Sequence, residues 1–198
     1  MTDRRAVGDE RFARVLASLR GAPSLSVLLR EKEDSDRETI ARVSQIRAAL
    51  GPEVALSVHR RFDLALAAGA EGVHLPSKGL PPERVRANTP RGFRIGVSTH
   101  SAREAVDAIA SGADLVVIGP IFATPSKAAL GAPLGPDALA DLPRADEHGR
   151  DVLVIGGVSE ANLAELAPWR DRITGVAGIR LFQESDDPAS VVRRIAAQ

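Results

Sequence analysis

The chain has 198 residues, a formal net charge of zero, a pI of about 6.9 and only 3% aromatic residues. That balance gives no electrostatic basis for a nucleic-acid or membrane-surface partner and leaves no base-stacking platform. There is no cysteine, hence no disulfide framework or thiolate site; no apolar run approaches the ~18 residues of a spanning helix, MTDRRAVGDE lacks a signal-peptide core, and a cytoplasmic protein is expected.

From the N-terminus, Asp9 is placed to cap a helix whose Phe12, Val15, Leu16 and Leu19 share one face. Gly21-Ala22-Pro23 ends it, and Leu25 to Leu29 reads as a strand. Ser35 and Glu38 form a capping box for a helix with Ile40, Val43, Ile46 and Leu50 inward. Gly51-Pro52 stops that helix, and Val54 to Val58 is the next strand. A helix from Phe62 ends at Gly69, and Gly72 to Leu75 is a short strand. Residues 76–92, rich in Pro and Arg, hold one short helix. Arg94 to Val97 is a strand, followed by a second capping box, Ser101 with Glu104, ahead of Val106 and Ile109. After Ala113, Leu115 to Ile118 run without alternation, as a strand buried on both faces, and Gly119-Pro120 stops it. A Pro-, Gly- and Ala-rich connection carries a weak helix near Pro136 to Leu142. Val152 to Ile155 is a strand, Ser159 to Ala167 a helix and Ile173 to Ala177 a final strand. Asp187 then caps a helix with Pro188 in its first turn and Val191, Val192 and Ile195 inward.

Seven strands, each followed by a helix or a turn of one, with no break in composition, predict one α/β domain over residues 1–198. Repeated βα units imply a parallel sheet, and the count favours a TIM (βα)8-type barrel one strand short. Where such a barrel opens on a strand, this chain opens on a helix. The first strand is therefore expected upstream of Met1, or as a stub at Met1 to Arg4. A barrel short of a strand exposes two sheet edges that something must cover, and a homo-oligomer would do so.

In a barrel the chemistry sits at the carboxyl ends of the strands. Lys32, Lys78 and Lys127 are the only lysines beside 23 arginines, and each follows a strand. His59 ends one strand, His74 lies in the next and His100 follows the one after. Short loops hold polar residues in any fold, and a single histidine is more often structural than catalytic. Six such residues on one rim are read as a ligand-binding face. Thr124, Ser126 and Lys127, after the central strand, suit an anionic group. Gly156-Gly157 and the run Ala177-Gly178-Ile179-Arg180 add backbone N–H groups in the pattern of a barrel phosphate site, with Arg180 supplying charge.

Across nearly its whole length the chain resembles the thiamine phosphate synthase and thiazole tautomerase family. The resemblance rests on LLREK (Leu28 to Lys32), FDLALAAGAEGVHL (Phe62 to Leu75), IGVSTHSAREA (Ile95 to Ala105), GADLVVIGPIFATPSK (Gly112 to Lys127), VIGGVSEAN (Val154 to Asn162) and GVAGI (Gly175 to Ile179). It implies a transferase of thiamine biosynthesis that joins an aminopyrimidine diphosphate to a thiazole phosphate with Mg²⁺. Diphosphate leaves first, and the thiazole nitrogen traps the pyrimidine cation. On the thiazole-phosphate side it implies roles for Thr124, Ser126, Gly156, Gly157, Gly178 and Ile179, with Arg180 replacing a serine. On the diphosphate side it implies Arg30, Lys32, Ser98 and Lys127 as a clamp on the leaving group.

The chain departs from the family at the pyrimidine and metal positions. An Asn-Asp pair is here His59-Arg60, and a second metal aspartate falls at Gly79 in HLPSKG. No carboxylate remains at either position, although Mg²⁺ takes oxygen ligands. Leu28 replaces the glutamine that reads the pyrimidine, and Arg60 is a candidate substitute for the metal's charge. The tautomerase's acid–base histidine falls at Pro120, leaving His59, His74 or His100 for proton work. The expected activities are thus a synthase with an altered diphosphate site, a tautomerase-like isomerase, or a non-catalytic binder of a small phosphorylated ligand.

Overall fold

Short apolar runs bounded by Gly, Pro and Ser form seven strands, in the order expected from the sequence. A computed structural model describes residues 1–124 and 131–197. In chain order its elements begin with α1 (Arg4–Val7), α2 (Asp9–Ser18), β1 (Ser26–Leu29), α3 (Asp36–Leu50), β2 (Ala55–His59), α4 (Phe62–Ala67) and β3 (Gly72–Leu75). There follow α5 (Pro82–Arg86), β4 (Arg94–Thr99), α6 (Ala102–Ala110), β5 (Leu115–Ile118), α7 (Ala145–His148), β6 (Asp151–Val154), β7 (Gly175–Val176), α8 (Arg180–Gln183) and α9 (Pro188–Ala196). The chain divides into two units: Met1–His74, Arg91–Phe93 and Ile179 onward, then Leu75–Pro90 and Arg94–Gly178.

In the first unit β1 pairs with β2 and β2 with β3, both parallel, and the second pairing places His59 opposite His74. The capping box opens α3 as expected: Ser35 accepts from the Glu38 N–H, and the Glu38 carboxylate accepts from the Ser35 N–H at 2.8 Å. Its Val43, Ile46 and Leu50 are buried, Ile46 and Leu50 completely. Each such side chain contributes about 1.5–3 kcal/mol. Asp9 does not cap α2; Gly8 holds the N-cap position, and Asp9 pairs with Arg4 inside the first turn. Asp187 does cap α9, accepting from the Ser190 N–H at 2.9 Å. At the expected stub, Thr2 donates its N–H to Leu28 O at 2.9 Å and its hydroxyl accepts from the Arg30 N–H at 3.0 Å. One backbone bond and one side-chain bond thus hold Thr2 along β1, without a strand being formed.

In the second unit β4, β5, β6 and β7 follow one another in parallel. Val116, Val117 and Ile118 are buried, as an unalternating run requires. The acid at each strand entrance is neutralised. Asp114 accepts the Ile95 N–H at 2.9 Å and pairs with Arg86 and with Arg150, while Asp151 pairs with Arg94. Two expected helices are tighter or shifted. Pro136–Asp141 is 3₁₀, and the helix expected from Ser159 to Ala167 is a 3₁₀ stretch over Leu163–Trp169. Pro168 has no N–H to give the carbonyl four residues back, so the α ladder cannot run through it. The parallel α/β class read from the sequence is the class observed.

Candidate functional site

At the edge of the first unit, Arg30 and Lys32 follow β1 while His59 and Arg60 close β2. Two backbone bonds shape the latter corner: Arg60 donates its N–H to His74 O at 2.9 Å, and Arg61 donates its N–H to His59 O at 2.8 Å. The second bond closes a three-residue turn about Arg60, whose φ is +67°. A γ-turn of positive φ is rare and strained, and a long side chain in the left-handed region adds to the strain. Three nearby acids are already engaged. Asp34 pairs with Arg42 at 3.4 Å and Arg4 at 3.7 Å, Asp36 with Arg61 at 2.9 Å, and both Glu31 carboxylate oxygens accept the Arg4 N–H at 3.1 Å. Arg61 also grips Asp63 and holds its carboxyl below the usual range. Among the described residues Arg30, Lys32 and Arg60 have no acidic partner within 4.0 Å.

The imidazole between these cations is held neutral. Burial first, then Arg30 and Arg60, push His59 down to about 4, against a hydrogen bond at the His74 backbone that favours the charged form. Its Nδ1 is buried without a hydrogen-bond partner. Its ring stacks on that of His74, centroids 6.5 Å apart and planes 26° apart. His74 was expected on the rim; it lies in the core at 2% exposure, and burial, aided by His59, pushes it down to about 3.

The second unit builds its loops from backbone. Beyond β5 and β6, Ile121 donates its N–H to Ile155 O and Phe122 to Gly156 O, each at 2.9 Å, so the two loops continue the ladder past the strand ends. The glycine pair makes this approach possible. Gly156 and Gly157 have φ of +94° and +66°; a Cβ on the first would lie 2.5 Å from Pro120 Cβ, and one on the second would strike Ala123 O. Asn162 holds the turn, donating to Gly157 O at 2.9 Å and accepting from the Ser159 N–H at 2.8 Å. His100 anchors the neighbouring loop: its N–H is taken by Glu104 at 2.8 Å, and its Nδ1 donates to Gly119 O at 2.8 Å. That bond fixes the proton on Nδ1 and leaves Nε2 as an acceptor. Glu104 thus serves His100 rather than completing the expected capping box; only Ser101 accepts from the Glu104 N–H.

Ser98 lies in β4, half-buried, and Thr124 lies in the connection after β5. Ser126 and Lys127 lie outside the described residues. Gly178 closes the second unit, while Ile179 and Arg180 begin α8 in the first, a helix of four residues. Lys78 is exposed in the turn after β3. The γ-turn at Arg60 was invisible in the sequence, since left-handed positions are signalled by Gly, Asn or Asp.

The residues at the two positions that the resemblance assigns to a metal do not fit Mg²⁺. Arg60 is a cation, and a Cβ at Gly79 would lie 2.9 Å from both Pro76 O and Pro76 Cδ, where Gly79 closes a tight turn through its N–H to Pro76 O at 2.8 Å. Among the described residues no group of three or more His, Cys, Asp or Glu could hold a metal ion. Likewise, no described helix is long and apolar enough to cross a membrane.

Comparison with known proteins places this geometry in context. Residues 1–182 match the family described as thiamine monophosphate synthase. A putative thiamine-phosphate synthase from Geobacter sulfurreducens is 35% identical over 202 aligned positions, covering 100% of this chain and 91% of that relative. The thiamine-phosphate synthase of Methanoculleus marisnigri is 38% identical over 198 positions, 96% of this chain and 92% of its own. Among solved structures, thiamine phosphate pyrophosphorylase from Pyrococcus furiosus superposes with a TM-score of 0.78 at 25% identity, covering 99% of this chain and 91% of that one.

Proposed function

The chain belongs to the thiamine monophosphate synthase family, and from that premise we propose that it joins an aminopyrimidine diphosphate to a thiazole phosphate in the cytoplasm, releasing diphosphate. In this reaction the bond from the pyrimidine methylene carbon to the diphosphate oxygen breaks, and diphosphate departs with the electron pair. The thiazole nitrogen's lone pair then forms the new C–N bond. The leaving group gathers negative charge, and unpaired cations are the groups that stabilise it. Arg30, Lys32 and Arg60 of the first unit are assigned that work.

The thiazole phosphate is assigned to Thr124, Ser126, the Gly156-Gly157 turn and Gly178, all of the second unit. The match over residues 1–182, which includes every one of these positions, carries the reading. The test is a thiamine phosphate assay with both substrates, with and without Mg²⁺. Product above the no-enzyme background is expected. No product, with thiazole phosphate still raising the melting temperature, would leave a phosphate-binding protein without the coupling reaction.

A second reading, an isomerase of the tautomerase kind, has one observation in its favour. In the neutral imidazole of His100, donation of Nδ1–H to Gly119 O leaves the Nε2 lone pair available, as a general base requires. Aromatisation of a thiazole substrate without any pyrimidine, abolished by His100→Ala, would select it.

A further inference from the structure

Two features at the carboxyl end of β2 work against stability. Arg60 occupies a strained γ-turn at φ +67°, where asparagine or glycine would sit with less cost. Three cations, Arg30, Lys32 and Arg60, also act on one neutral imidazole while arginines 4, 42 and 61 take Asp34 and Asp36. Like charges left unneutralised repel one another, and the repulsion is relieved only by an anion. The buried Nδ1 of His59, with no hydrogen-bond partner among the described residues, is a further polar atom that a ligand or water would satisfy. No carboxylate stands at residues 60 or 79 to bring a metal ion between protein and ligand.

We infer that this edge is a magnesium-free diphosphate site, in which Arg60 is held in a strained backbone conformation to supply the positive charge that a metal ion would otherwise bring. Arginine suits the task because its planar fork offers paired N–H donors to phosphate oxygens and its charge is permanent. The inference rests on the synthase reading for the origin of the diphosphate, which is the group carried by the pyrimidine. The binding claim itself rests on the cations and the turn.

Titration calorimetry of the full chain with inorganic diphosphate tests it. Binding in EDTA is expected to match binding in Mg²⁺ within about threefold, and Arg60→Asn is expected to weaken it at least about tenfold. The same variant is expected to raise the melting temperature by about 2–4 °C, because asparagine accepts the left-handed backbone. Arg60→Gly provides a second variant without side-chain strain, with the same two outcomes. Binding only in the presence of Mg²⁺, affinity for inorganic phosphate equal to that for diphosphate, or a lowered melting temperature in both variants would overturn the inference. Diphosphate binding in EDTA without thiamine phosphate synthesis would leave it standing and remove the synthase reading. Synthesis that strictly requires Mg²⁺ would do the reverse.

Discussion

Among the described residues, Arg30, Lys32 and Arg60 beyond β1 and β2 have no acidic partner, whereas beyond β5 and β6 the loops bond to each other backbone to backbone. The first arrangement depends on side-chain charge; the second depends on glycines that let Gly119–Ala123 and Ile155–Gly157 approach. A charged edge can exchange one ligand chemistry for another by single substitutions, because surface side chains contribute little to stability. A laddered pair of loops has less freedom, since its close approach tolerates no Cβ at residues 156 and 157.

The contrast makes four predictions. The largest effect is expected in the second unit: Gly157→Ala forces a Cβ against Ala123 O at a left-handed φ. It should cost about 3 kcal/mol or more in urea unfolding and abolish thiazole phosphate binding. In the first unit, Lys32→Ala should leave the unfolding midpoint within about 0.5 kcal/mol of the parent while weakening diphosphate binding about tenfold. Comparable losses of stability in the two variants would erase the distinction.

The buried histidines give a pH signature to the first unit. Both His59 and His74 have folded values below 6.5, about 4 and about 3. The unfolded chain therefore takes up protons near pH 6.5 that the folded chain refuses. Stability is full above that pH and falls as pH drops from 6.5 toward 4. Chemical denaturation across this window should show the loss, and His74→Leu should flatten the curve. The smallest effect belongs to His100, whose Nδ1–H holds Gly119 O. Asparagine can place an N–H where Nδ1 stands and glutamine cannot, so His100→Asn should keep near-parent stability while His100→Gln loses about 1 kcal/mol. The reverse order would show that Nε2, not Nδ1, is the working atom.

Strands were readable because buried β-branched runs such as Leu115 to Ile118 have few other uses, and α3 because the Ser35–Glu38 box marks its start. The helices after β5 and β6 were less so: local apolar periodicity suggested α-helix where Pro168 and the Asn162 turn impose 3₁₀. At the strand ends, residue identities pointed to Lys32, His59 and His100, and the family resemblance added Arg30 and Arg60. They could not show that His74 belongs to the core, because a histidine in a short strand points to either face with equal ease.

The sequence alone determined the parallel α/β plan, the family and the loss of carboxylates at residues 60 and 79, since these depend on residue type and spacing along the chain. Tertiary structure decided which arginines are neutralised, which histidine is buried, which nitrogen of His100 carries the proton and where the backbone is strained. Those properties arise from contacts between residues such as His59 and His74, or His100 and Gly119, that are distant in sequence and meet only when strands pair.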